Sequence, residues 1–282
     1  MFEKVLYPTD FSEVSLHALR NCIPEIVRLG VEELHIIHVL DIATLEFEAF
    51  SLQEAYRVKI SELAGELRKA TGERIRIITD VLVGIPSIEI AEYASRENID
   101  LIIIPNAGEN IWRRMFMGST ASNLARTSKK PVLILKYEEK DKKFEPTFGS
   151  CLDIFKKPLL ALDFSKCSQG VIQTTKKFEE LMESGILLHS VDYGKVEELE
   201  HNIEIAKANL EKAAEAFSKP MEKEVTVGVA SRAIIGMALA KKASMIVMGK
   251  KGRSFLKDLI LGSTAERVMR DAKIPVLLVP CE

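Results

Sequence analysis

The residues that most plainly invite chemistry lie between Gly249 and Thr264, in the stretch GKKGRSFLKDLILGST. Gly249 and Gly252 follow the apolar run Met245 to Met248, and Gly262 stands just before Ser263 and Thr264. An anion at short range must meet backbone N–H groups with no Cβ in the way, which glycine guarantees, and successive free amides form an anion-binding concavity. At the far end Ser263, Thr264, Ala265 and Glu266 spell a capping box, which predicts a helix start whose N–H groups and dipole face the loop. Such an end suits a phosphate, and Lys250, Lys251 and Arg253 add positive charge. The stretch matches neither the P-loop, with its closing Lys-Ser/Thr pair, nor the dinucleotide glycine fingerprint. The plainer alternative makes Gly249 a strand end and Gly262 and Ser263 loop and N-cap.

Other polar residues carry two readings each. Asp163 and Ser165, like Asp10 and Ser12, sit just before a helix, where either side chain makes a good N-cap; the functional reading has Asp163 accept hydrogen bonds from a ligand hydroxyl or amine. His38 and His189 close apolar strands and read as packed residues with one satisfied nitrogen rather than as bases. Ser263, His189 and Asp163 show nothing of a nucleophile elbow in their spacing. Between the glycines lies an apolar insert, Phe255, Leu256, Leu259 and Ile260, matched earlier by Ile111, Trp112, Met115 and Phe116. Spacing of four puts each set on one side of a helical turn, as a patch over the core or a contact between domains.

These residues need elements to hold them. Strands are expected over Lys4–Thr9, Leu34–Val39, Ile75–Val83, Leu101–Ile104 and Val132–Leu135, and helices follow Asp10, cover 51–70, follow Gly84 and Pro86, and cover 119–127. The segment Asp41 to Phe50 is less regular. Then the programme restarts. Leu159–Leu162 again runs into Asp-Phe-Ser, GILLHSVD at 185–192 repeats LHIIHVLD at 34–41, and Met245–Met248 matches Leu101–Ile104. Asp10 and Asp163 are 153 residues apart, His38 and His189 151, Gly118 and Gly262 144, so a duplicated domain is the natural reading. The expected division is 1–138, a charged linker at 139–156 containing Pro146 and Gly149, and 157–282. Each copy alternates strand and helix five times, which predicts an α/β fold with a five-stranded parallel sheet between helices. Ligands of such sheets lie beyond the strands' carboxyl ends, where strand order reverses. In the second copy Asp163, Ser190 with Val191, Gly228 and Met248 with Gly249 end successive strands there.

Composition narrows the classes. The 282 residues are 47% apolar and 28% charged, with a net charge of -2 and no basic cluster, which argues against an extended nucleic-acid surface. The N-terminus lacks the regions of a signal peptide and no apolar run approaches a membrane span, so a cytoplasmic protein is expected. Cys22, Cys151, Cys167 and Cys281 show no CxxC or Cys/His spacing and read as isolated thiols of a reducing compartment.

The strand-end Asp-Phe-Ser, the Gly-x-Pro at Gly84 and Pro86, and above all the G-x2-G-x9-G-S/T pattern from Gly249 to Ser263 resemble the universal stress protein family, over both halves of the chain. The resemblance implies tandem Rossmann-like domains of the adenine nucleotide alpha hydrolase-like kind and, in the nucleotide-binding branch, an adenine nucleotide (ATP, ADP or AMP) at the rim. It would place Asp163 by the adenosine, Ser190 and Val191 by the base, and Gly249, Gly252, Gly262, Ser263 and Thr264 at the phosphates, with Arg253 counted among the nucleotide-binding residues for its charge. Members commonly dimerise through their last strands, so the two copies are expected to form an intrachain pseudo-dimer, with a further homodimer open; whether Mg or Mn accompanies the nucleotide is also open.

The first copy keeps Asp10, Val39, Gly84, Gly108, Gly118, Ser119 and Thr120 but has Pro105 where the second has Gly249 and Glu109 where it has Arg253. Proline removes an N–H and glutamate puts negative charge beside a phosphate, so the first site is expected to be the weaker or selective for fewer phosphates. The leading functional expectation is a nucleotide-binding sensor or regulator in stress response. No general base or paired-carboxylate metal site stands beside the loop, so hydrolysis, if any, should be slow. The alternatives are a slow ATP-hydrolysing or adenylating enzyme, a scaffold without ligand, and a flavin protein.

Overall fold

The structure is a computed structural model that describes the whole chain except residues 28–29, 44–48, 73–74, 108–117, 142, 193–195, 253–260 and 282, and except the side chains of 49–50 and 196–197. The chain divides into two compact units, Met1–Pro146 and Thr147–Glu282.

The first unit runs β1 (Lys4–Pro8), α1 (Glu13–His17), a π turn (Ala18–Cys22), α2 (Ile23–Val27), β2 (Glu33–Asp41), α3 (Ala49–Thr71), β3 (Arg76–Gly84), α4 (Pro86–Arg96), β4 (Leu101–Pro105), α5 (Ser119–Thr127) and β5 (Val132–Leu135). Its strands lie in the order β3-β2-β1-β4-β5 and pair in parallel. Strand order therefore steps one way through β1, β2 and β3 and the other way through β4 and β5. With right-handed crossovers, that reversal puts helices on both faces of the sheet. β4 (LIIIP) and β5 (VLIL) are buried at every position, the continuous apolar run of a parallel strand covered on both sides. Each such side chain contributes about 1.5–3 kcal/mol on leaving water. The π turn precedes Pro24, whose missing N–H breaks the regular i→i−4 ladder.

The second unit repeats this plan with β8 (Pro158–Ala161), α6 (Lys166–Lys176), β9 (Gly185–Val191), α7 (Val196–Ala214), β10 (Met221–Val227), α8 (Ala230–Ala240), β11 (Met245–Gly249), α9 (Ser263–Asp271) and β12 (Val276–Val279). The order β10-β9-β8-β11-β12 matches that of the first unit, and all four pairings are parallel. The registers also match. Gly249 pairs with Val279 in β11–β12 as Pro105 pairs with Leu135 in β4–β5, so Pro105 does occupy the place of Gly249.

The segment between the two units is not bare linker, and one expectation fails. The charged segment read as a linker from residue 139 begins inside an antiparallel hairpin, β6 (Tyr137–Lys140) paired with β7 (Lys143–Pro146). Lys140 bridges Glu138 on its own strand and Glu145 on the facing one, and Asp141 takes the left-handed turn conformation at φ 49°. Beyond it Ile154 and Phe155 are buried, and Phe155 meets the Phe178 ring edge-on at 5.2 Å. The cysteines are not isolated thiols either: Cys167 and Cys281 form a disulfide, and no cysteine is free among the described residues. Spacing could not reveal a bond that joins the start of α6 to the end of the chain.

Candidate functional site

Both units put their marked residues at the carboxyl rim of the sheet, beside the point where strand order reverses: between β8 and β11 in the second unit and between β1 and β4 in the first. This is where an open parallel sheet leaves a crevice.

The Asp-Phe-Ser turn comes first. Oδ1 of Asp163 accepts from the Ser165 N–H at 3.0 Å, the Ser165 hydroxyl at 2.6 Å and the Ser168 hydroxyl at 2.9 Å. The aspartate is thus held by the first turn of α6 and is not its N-cap; Ser165 is, and its hydroxyl is turned to the carboxylate. The first unit builds a lighter version, with Oδ1 of Asp10 accepting from the Ser12 N–H at 3.0 Å and Ser12 capping α1 through the Ser15 N–H. In both units the phenylalanine after the aspartate is left-handed, Phe11 at φ 61° and Phe164 at φ 60°, a conformation that costs a bulky residue of order 1–3 kcal/mol and persists only where its surroundings impose it.

The histidines impose it. Nδ1 of His189 donates to the Leu162 carbonyl at 2.6 Å and Nδ1 of His38 to the Thr9 carbonyl at 2.7 Å. A carbonyl can only accept, so Nδ1 carries the proton in both. Each histidine therefore anchors the residue just before the aspartate while its ring meets the left-handed phenylalanine, stacked at 4.5 Å for Phe164 and tilted at 4.9 Å for Phe11. The expectation of packed histidines with one satisfied nitrogen holds. Phe11 and Phe164 were not singled out beforehand; their recurrence after the aspartate in both copies was the available signal.

Gly252 stands against the same carboxylate. A Cβ on Gly252 would stand 3.1 Å from Oδ2 of Asp163. Gly262 N–H donates to the Lys250 carbonyl at 2.7 Å, which closes the loop at its base, as Gly118 N–H does to the Asn106 carbonyl at 2.9 Å in the first unit. A Cβ on Gly262 would lie 3.3 Å from that Lys250 oxygen and 3.9 Å from the Gly252 nitrogen, so Gly262 is glycine because two backbones touch there. Gly249 has a different reason: its Cβ would meet the Cβ of Cys167 at 3.0 Å.

The expected capping box does not form. Gly262 is the N-cap of α9 and has no side chain to cap it, and Ser263 is the first helical residue; Gly118 stands likewise before Ser119 and Thr120 on α5. The N-cap residue therefore supplies no side-chain oxygen to the first-turn amides of α9, at Ser263 and Thr264, and the helix dipole is positive at that end. Lys250 is buried at 4% exposure. Burial, with like-charge repulsion from Lys251, pushes its ammonium down to about 8.

The remaining residues lie along the rim. The Ser190 hydroxyl donates to the Gly228 carbonyl at 3.0 Å and the Gly228 N–H to the Val191 carbonyl at 2.9 Å, so that carbonyl is committed to the sheet. Gly228 has φ 129°, a backbone that side chains resist. Gly84, its counterpart, would put a Cβ into the Glu89 carboxylate. Val39 pairs with Leu82 in β2–β3, and Met248 is a core residue paired with Ala161 and Leu278. Arg253, Gly108, Glu109 and the apolar inserts with Trp112 lie outside the described residues. In the first unit a third ring joins the histidine: Tyr56 of α3 stacks on His38 at 4.2 Å and lies 5.3 Å from Phe11, while Nζ of Lys59 sits 4.2 Å over the Phe11 ring.

The duplicated fold and rim agree with the comparison against known families, in which the model of the universal stress protein family matches residues 1–136 and 155–280. The chain belongs to the universal stress protein family. Universal stress protein MJ0577 of Methanocaldococcus jannaschii is 32% identical over 159 residues, which cover 48% of this chain and 96% of that protein. Universal stress protein MJ0531 of the same organism is 29% identical over 154 residues, covering 50% and 86%. Each spans about one copy of the duplicated chain. The crystal structure of a universal stress protein from Archaeoglobus fulgidus superposes with a TM-score of 0.73 at 22% identity, covering 99% of this chain and 98% of that one, so the tandem Rossmann-like fold recurs along the whole length. No helix among the described residues is long and apolar enough to cross a membrane, and no cluster of three or more His, Cys, Asp or Glu among them could hold a metal ion.

Proposed function

We propose that the chain is a nucleotide-binding regulator of the universal stress protein family, with its principal site for an adenine nucleotide in the second unit. The observation that carries this reading is that Gly262 closes onto the Lys250 carbonyl while Gly252 stands against Asp163, beside the start of α9. A nucleotide needs both ends of such a crevice. Phosphate oxygens suit the α9 amides and the lysines, and a ribose hydroxyl suits a carboxylate held by its other oxygen, as Asp163 is. Among the described residues of the rim no base is poised for fast phosphoryl transfer, and the activity we assign is binding rather than turnover.

Mass spectrometry of small molecules released on denaturing the purified chain tests this reading; an adenine nucleotide at close to one per chain is the expected result, and a ligand of another class would replace the reading.

The first unit is expected to bind the same nucleotide more weakly, because Pro105 lacks an N–H and Tyr56 lies over the Asp-Phe-Ser turn. Titration of a Gly252→Val chain, whose second site is blocked, should show residual binding at least tenfold weaker than the wild type. Equal affinity would contradict the asymmetry.

Lys250 gives the site a pH dependence. Its ammonium is charged below about 8 and attracts phosphate; above that value it is neutral and the attraction is lost. Affinity for ATP is expected to fall about three- to tenfold from pH 7 to pH 9, beyond the range in which a terminal phosphate titrates. A Lys250→Met chain should bind ATP more weakly at pH 7 and lose this dependence, which titrations at both pH values would show.

A further inference from the structure

The Cys167–Cys281 disulfide lies against the back of the glycine loop. Cys167 is the second residue of α6, four residues after Asp163, and is buried at 4% exposure; Cys281 follows β12 and is half-buried. A Cβ on Gly249 would lie 3.0 Å from the Cys167 Cβ and 3.9 Å from the Cys281 Sγ, and that sulfur lies 3.9 Å from the Lys251 carbonyl oxygen. The bond therefore ties the turn that carries Asp163 to the strand end that underlies Gly249, Lys250 and Lys251. The first unit has no sulfur in these places. Val14 stands four residues after Asp10, and Tyr137, two after β5, is held instead by Asn106, whose Oδ1 accepts its N–H at 2.8 Å and whose Nδ2 donates to its carbonyl at 3.2 Å. The bond thus belongs to the unit that also has the complete glycine pattern.

We propose that Cys167–Cys281 is a redox-active site that sets the affinity of the second unit for a phosphate-bearing nucleotide, high when bonded and low when reduced. The proposal rests on the reading of that rim as a nucleotide site. The reactant is a dithiol reductant. One of its thiolates attacks the half-buried Cys281 Sγ; the bond between the two protein sulfurs breaks and its electron pair leaves on Cys167 Sγ as a thiolate. The reductant's second thiolate then attacks the mixed disulfide, the reductant departs as a cyclic disulfide, and the Cys281 thiolate takes a proton from solvent. Two electrons enter the protein. Cys167 is the better leaving group because it sits in the first turn of an eleven-residue helix, whose positive end favours thiolate. That thiolate puts negative charge behind the phosphate-binding turn, and the broken bond frees the end of β12 from α6. Both changes weaken anion binding.

The test is titration of the full chain with ATP, oxidised and fully reduced by dithiothreitol, with thiols counted in each sample. The oxidised chain is expected to bind about tenfold more tightly, consistent with one added charge near a partly exposed phosphate. By linkage ATP should make the bond harder to reduce by the same factor, a shift of about 30 mV to more negative potential in a dithiothreitol redox buffer. A Cys167→Ser/Cys281→Ser chain should respond to reductant not at all, which separates this bond from Cys22 and Cys151. Equal affinity of oxidised and reduced wild type, or a response that survives in the serine variant, would overturn the coupling. Failure of the oxidised chain to bind ATP would instead overturn the nucleotide reading beneath it.

Discussion

Replacing Gly252 by valine is expected to lower the affinity of the second unit for adenine nucleotide about a hundredfold, close to 3 kcal/mol, with the fold unchanged. The added Cβ would start 3.1 Å from Oδ2 of Asp163, and the two further methyl groups would force the loop away from the carboxylate. Hydrogen bonds to charged groups contribute about 1.5–3 kcal/mol each, and a loop displaced by an ångström loses more than one of them. Gly252 is half-buried, outside any strand or helix, and is not among the glycines with positive φ, so valine has no backbone penalty to add. The melting temperature should stay within about 3 °C of wild type. Titration calorimetry and thermal denaturation of the same preparation check the two halves together. Unaltered affinity would mean that the loop does not face the ligand.

His189→Leu is expected to act through the scaffold and to destabilise the protein by about 2–3 kcal/mol. The substitution removes the donor to the Leu162 carbonyl, at a residue only 3% exposed, and a buried acceptor left without its partner costs about 1–3 kcal/mol. It also removes the ring that stacks on Phe164, a further 0.5–1.5 kcal/mol by the general worth of aromatic pairs, about. The left-handed Phe164 then loses what holds it, and Asp163, one residue earlier, loses its fixed position. Denaturant unfolding should register the stability loss, and nucleotide affinity should fall with it although His189 is assigned no ligand contact. Undiminished stability would show that the histidine does not hold the turn.

Much of this architecture was legible in the chain because duplication supplies an internal control. Asp10 and Asp163, His38 and His189, and Gly118 and Gly262 recur at nearly constant offsets, and the structure puts each pair at matching places in sheets of identical strand order. Continuous apolar runs such as LIII at 101–104 and VLIL at 132–135 marked strands buried on both faces. Less legible was anything that depends on which backbone approaches which. The capping box at Ser263 has the right letters, yet the helix starts one residue earlier because Gly262 is drawn onto the Lys250 carbonyl. Gly249 looked like an opening for an anion, whereas its missing side chain makes room for Cys167. The charged hairpin after β5 was hidden for a related reason: Glu138, Lys140 and Glu145 read as linker composition until the two strands are seen to pair.

The phenylalanines illustrate the same limit in the site itself. Asp-Phe-Ser announces an aspartate before a helix, but only the dihedral angles reveal that Phe11 and Phe164 are left-handed and locked by the histidines. Strain of that kind is held where a side chain must be aimed, here at Asp163 toward the loop.

Calorimetric titration of the oxidised chain with ATP, ADP and AMP tests the central claim most directly. One strong site per chain for an adenine nucleotide, lost in Gly252→Val, is the result expected from the loop, Asp163 and the start of α9. Absence of heat with all three nucleotides, in protein shown to carry no copurified ligand, would contradict it and leave the glycine stretch a turn between a strand and a helix.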